Sequence, residues 1–106
     1  MRNLVFNVNG QLITRENPNE LIVAGTSGYW EAKFMFSKDW DNTQKVVAFY
    51  TKYGKELPPC VLSAENTCKI PKEALSLHEF KLSVLGKRKD CVITTKPITI
   101  TQYGGK

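Results

Sequence analysis

The sequence has no apolar run near the roughly 20 residues that a membrane-spanning helix needs. Its N-terminal stretch, MRNLVFNVNGQ, has no long apolar segment of the kind a secretory signal carries. A cytosolic site of synthesis, with no membrane partner, is expected. Histidine occurs once, and the three cysteines, Cys60, Cys68 and Cys91, form no CxxC pair. A structural zinc site takes about four ligands at characteristic spacing, so neither metal nor cofactor is expected. GxSxG, HExxH, GxGxxG and phosphate-binding loop patterns are also missing. His78, at the start of a strand, has Glu79 as its neighbour, but adjacent strand residues face opposite ways, which argues against an acid–base pair. Asp39 and Asp41 share a loop in which turn-forming aspartates are ordinary. The expectation is a chain that is not an enzyme.

What is present is a set of short alternating segments. At 106 residues the chain is long enough for a single domain, 1–106, with one core. Leu4, Phe6 and Val8 alternate with polar neighbours, and Asn9-Gly10 suits a type I′ turn returning through Gln11 to Thr14. Glu20 to Ala24 is a short apolar strand. In the aromatic stretch YWEAKFMFSKDW, Trp30, Ala32, Phe34 and Phe36 share one face, while Tyr29, Glu31, Lys33 and Met35 share the other. That period of two indicates a half-buried strand, which places most of the aromatic density in the core. Trp40 folds back as a lid over the core's end; an exposed Trp40 would instead mark a binding hot spot.

Lys45 to Tyr53 is apolar on both faces, as befits a central strand or one whose outer face meets a partner. Pro58-Pro59 confines the next strand to an edge or bulge, because proline donates no ladder hydrogen bond. Thr67 to Ile70 pairs back across Ala64-Glu65-Asn66, so that Cys60 and Cys68 face each other across a hairpin as small apolar residues rather than as a bridge. Pro71 opens one helical turn near 71–75, occupying its first position. Phe80, Leu82 and Val84 point inward from the strand that follows. Cys91 to Thr95 and Ile98 to Thr101 complete the sheet around Pro97, and Tyr103 to Lys106 is a flexible end. Seven or eight short strands with almost no helix predict an all-β antiparallel sandwich, with a small β-barrel as runner-up.

Function must then reside in surfaces. Tyr29, Met35 and Leu85 turn outward and, on adjacent strands, would form an apolar interface patch, with Trp40 as a further candidate. The net charge is +5, and the one dense basic run is Lys87-Arg88-Lys89. This run reads first as the solvated tip of a hairpin, and alternatively as a loop that grips phosphate. Exposed aromatics would also allow stacking on carbohydrate.

Several elements recur in order: Asn9-Gly10; Ala32, Phe34, Phe36, Ser37 and Trp40; Phe49; Ile70-Pro71, Glu73 and Leu75; Gly86; and Ile93-Thr94-Thr95. In this frame the chain resembles small proteins from the structural-gene regions of phages and prophages of Gram-positive bacteria. These are similar to the immunoglobulin-like module at the N-terminus of baseplate, tail-fibre or head-fibre proteins. The resemblance implies an immunoglobulin-like sandwich, assembled in the host cytoplasm and carried in the virion, with itself and other virion proteins as partners. It implies no catalytic or ligand-binding residue; the chain departs from those family members that continue into a stalk, and none is expected here. A small phage-encoded inhibitor that binds a host defence protein or nucleic acid through a basic face is the alternative.

Overall fold

The computed structural model describes residues 2–106. Nine strands run in the order β1 (Arg2–Asn9), β2 (Leu12–Arg15), β3 (Trp30–Phe36), β4 (Gln44–Thr51), β5 (Glu56–Val61), β6 (Thr67–Lys69), β7 (Glu79–Arg88), β8 (Cys91–Thr94) and β9 (Ile98–Thr101). A 3-10 turn at Lys38–Trp40 follows β3, and a single helical turn, α1 (Lys72–Leu75), precedes β7. They form two open sheets, one ordered β2-β1-β3-β6 and the other β5-β4-β7-β8, with β9 also on β7. The sheets pack face to face as a β-sandwich around Leu4, Phe6, Val8, Trp30, Ala32 and Phe34 on one side and Val47, Phe49, Phe80, Leu82, Val84 and Ile100 on the other. Burying each large side chain contributes on the order of 1.5–3 kcal/mol. The expected alternation in β1, β3 and β7 is present, and Phe6 stacks on Phe34 across the β1–β3 ladder at 5.1 Å.

One ladder departs from the antiparallel expectation. β1 pairs with β3 in parallel, from Arg2 opposite Trp30 to Val8 opposite Phe36. Alternation sets which face a strand buries and leaves its direction open, so both orientations satisfy the same pattern. The chain returns to the starting end of β1 through residues 16–29. In this return Glu20 to Ala24 is not a strand: Ile22 alone is buried, while Leu21 and Val23 are exposed. Its backbone is paired with the C-terminal segment, through Tyr103 N to Ile22 O at 2.7 Å and Ala24 N to Tyr103 O at 2.9 Å. The C-terminal segment is therefore docked. His78 N and Lys106 O, and Lys106 N and Ser76 O, bond in turn, and His78 Nδ1 lies 3.0 Å from Gly104 O.

Turn chemistry explains the remaining corners. Asn9 stays in its ladder opposite Leu12, and Gly10 has φ of +60°. The two central residues are therefore Gly10 and Gln11, and a positive φ at the first alone is the type II′ arrangement rather than type I′. β5 pairs only with β4, and Pro58-Pro59 lie where the register shifts between Val47 and Phe49. The proline pair thus sits both at an edge and at a bulge. Pro71 occupies the N-cap of α1, one residue outside the turn. At the helix's other end, buried Gln102 donates through Nε2 to the carbonyls of Ala74, Leu75 and Leu77. Where Pro97 breaks the last strand, Thr95 spans the gap: its Oγ1 accepts from Val84 N and its own N–H donates to Val84 O, both at 3.0 Å.

The segment after β5 does not fold back as a hairpin. β6 pairs with β3, so residues 62–66 carry the chain from one sheet to the other at this edge of the sandwich. Asn66, at φ +62°, makes the corner, and Ser63 binds Thr67 through backbone and side chain.

Candidate interaction surface

Trp40 is fully buried and is therefore no partner surface, which corrects its place among the interface candidates and supports the lid. Its indole packs on Phe36 at 5.2 Å and over the backbone of Gly86, and Nε1 donates to Gly10 O at 2.8 Å. It closes one end of the core between the β1–β2 turn and β7. The basic run belongs partly to this plug. Arg88 Nη1 donates to the carbonyls of Asp39 and Asp41 at 2.9 and 3.0 Å, fastening the 3-10 turn from outside. Lys87 and Lys89 remain exposed beside the β7–β8 turn. Arg88 is engaged in holding the fold, which leaves two lysines, rather than three cations, at the tip.

Met35 and Leu85 lie on opposite outer faces. Met35 projects from the four-stranded sheet beside Asn7, in a surface that also holds Lys33, Thr14 and Glu31. Leu85 projects from the five-stranded sheet. The two do not form one patch, because the strands that carry them belong to different sheets. Tyr29, just before β3, stands edge-on to Trp30 at 5.3 Å, beside an open depression bordered by Arg2, Leu21 and Val23. Arg2 lies over the Trp30 ring and pairs with Glu20, which raises its pKa through the side-chain hydrogen bond and the charge of Glu20. Three candidates thus sit in three separate places.

The broadest apolar patch among these places is around Leu85. Register sets Val46 of β4 opposite it, Val61 of β5 beyond Val46, and Thr94 of β8 on its other side. One rung away, Ala48 faces Ser83; one rung the other way, Gln44, Lys87 and Val92 align. Leu85 is 41% exposed, Val61 71% and Val92 61%, while Val46 and Ala48 are half-buried. An apolar cluster therefore spans β5, β4 and β7, with Thr94 ending its row on β8 and Val92 one rung away, and Lys87, Lys81, Tyr50 and Glu56 border it. Of its members only Leu85 is singled out by the sequence. Two-faced apolarity in β4 is the signal that points to Val46 and Ala48. Val61 and Val92 need the register, because each belongs to a short strand whose phase the sequence leaves open.

No group of three or more His, Cys, Asp or Glu side chains able to hold a metal occurs among the described residues. His78 is exposed, and its Nδ1 meets the backbone of the docked C-terminal segment. No protein-family model matches the chain, and no curated protein or solved structure matches it.

Proposed function

We propose that this chain is a non-enzymatic, phage virion-associated module, an immunoglobulin-like sandwich that works through protein–protein contacts and self-assembly. The observation that carries the contact reading is the row Val61–Val46–Leu85 on the outer face of the five-stranded sheet. A sheet face that has no layer of its own domain above it normally alternates to polar residues. Here it keeps aliphatic side chains in register across three strands, with Val61 and Leu85 exposed and Val46 half-buried between them, the kind of patch that marks an interface. Its occupant is a second copy of this chain, related by a two-fold axis, since a self-complementary patch closes an assembly without leaving a free end. The cations and the carboxylate of Glu56 on the rim suit such pairing, because a two-fold can bring a lysine of one copy near Glu56 of the other. The virion setting rests on the ordered frame from Asn9-Gly10 to Ile93-Thr94-Thr95.

Two measurements test this reading. Sedimentation of the purified chain should give an oligomer that Leu85→Glu dissociates and Met35→Glu leaves intact. A wild-type monomer at all concentrations, or dissociation by Met35→Glu alone, would overturn the assignment of this face. Mass spectrometry of density-purified virions from a phage encoding the chain should find it in stoichiometric amounts. Finding it only in the infected-cell lysate would remove the structural role and put the host-inhibitor reading first.

A further inference from the structure

Cys60 and Cys68 lie on β5 and β6, the edge strands that meet at the same border of the sandwich, one in each sheet. Register fixes where they point. Cys60 is opposite Val47, and Cys68 is opposite Ala32; both partners are fully buried, so both thiols face inward, toward each other's sheet. β5 and β6 touch along this border, Cys68 belongs to the core and Cys60 packs against it, with Cys60 Sγ 3.7 Å from Val61 O. Both are free thiols; Cys68 is buried and Cys60 half-buried. Cys91 stands apart, on the β7–β8 hairpin opposite Arg88.

We infer that Cys60 and Cys68 form a thiol–disulfide exchange site whose oxidation staples the two sheets together at their shared edge. The oxidant is a low-molecular-weight disulfide of the glutathione class. The more accessible Cys60, as thiolate, attacks one sulfur of that disulfide; the S–S bond breaks, one thiolate leaves, and a mixed disulfide remains on Cys60. Cys68 then gives up its proton and attacks Cys60 Sγ, expelling the second small thiolate. In total the two protein thiols lose two electrons and two protons, and the small disulfide becomes two thiols. The order of the steps follows from the environment. Burial, with the neighbouring Cys60 and Glu31 adding to it, pushes the Cys68 thiol up, so Cys68 is protonated near neutrality and acts second.

Such a bond closes the loop from residue 60 to residue 68 in the unfolded chain as well. By chain entropy it favours the folded state by roughly 80-fold, provided the native geometry accepts it without strain. The test uses the whole reduced protein, equilibrated with graded ratios of reduced and oxidised glutathione in native buffer and in urea. The expected product is two hydrogens lighter than the reduced chain. Peptide mapping should place the bond between Cys60 and Cys68, with Cys91 free. The unfolding midpoint should rise by an amount equal to a roughly 80-fold gain in the folding constant. Cys68→Ser should stop at the glutathione adduct on Cys60. Because the main readout is made on the wild type, it stands whether or not that variant folds. The inference fails if the native protein stops at the mixed disulfide or does not react. It also fails if Cys91 enters the product, or if the bond forms no more readily in the folded chain than in urea.

Discussion

Replacing Gly86 by alanine isolates one contact, between the β7 backbone and the face of Trp40. Gly86 has an ordinary strand φ, so alanine is free to adopt its conformation, and in a strand the change should by itself gain about 0.5–1 kcal/mol. Space opposes it. The added Cβ would lie 2.7 Å from Trp40 Cζ3, 2.8 Å from Cε3 and 3.1 Å from Thr43 Oγ1. The indole must therefore retreat by several tenths of an ångström. Its Nε1 bond to Gly10 O, its contact with Phe36 and its complete burial all resist that movement. Overpacking of this kind costs about 1–3 kcal/mol, so the net expectation is a loss of roughly 1–2 kcal/mol. Urea unfolding followed by tryptophan fluorescence would measure it, and the midpoint should fall with no change in slope. In the background Trp40→Leu the alanine should cost much less, since the ring it strikes is gone, and a double-mutant cycle gives the difference as a coupling energy. If Gly86→Ala proved as stable as the wild type or more so, Trp40 would not be packed on this backbone as described.

Two further substitutions test the fastenings of the fold. Gln102→Met keeps the shape but removes the donor shared by three carbonyls at the end of α1, and urea unfolding should show a loss of about 1–3 kcal/mol. Arg88→Met should lower stability by about 1 kcal/mol by releasing the Asp39 and Asp41 carbonyls. Lys89→Ser should change it by less than about 0.5 kcal/mol. Equal effects of the last two in the same thermal melt would mean that Arg88 is merely another surface cation.

The difference between Arg88 and its lysine neighbours shows where sequence reading stops. The run KRK announces charge, but only the position of the 3-10 turn against the hairpin shows that the middle member is occupied. Patterns confined to a few residues were legible: alternation in β1, β3 and β7, the Pro58-Pro59 edge, the helical turn after Pro71. Partnerships between distant segments were not. The parallel β1–β3 ladder, the crossing of residues 62–66 between sheets and the pairing of Val23 with Tyr103 all depend on which segment arrives beside which. The same limit applied to the surface. Leu85 was identifiable as an outward apolar residue, yet its grouping with Val46 and Val61, and its separation from Met35, depend on register and sheet membership.

The parallel ladder has a consequence for how the domain reaches its native state. The β1–β2 and β7–β8 hairpins can close locally, but β1 with β3, β3 with β6 and β4 with β7 each join segments separated by at least one intervening strand or a long return loop. Each must bear the entropy of closing that loop before its contacts form. The four-stranded sheet cannot grow by zipping outward from its first hairpin, because the neighbour on the free side of β1 arrives only after residues 16–29 have found their path. A chain of this topology belongs with the slow class of small domains, folding in milliseconds to seconds rather than microseconds. During that interval the inner faces of β1 and β2 stand open to whatever else is in solution.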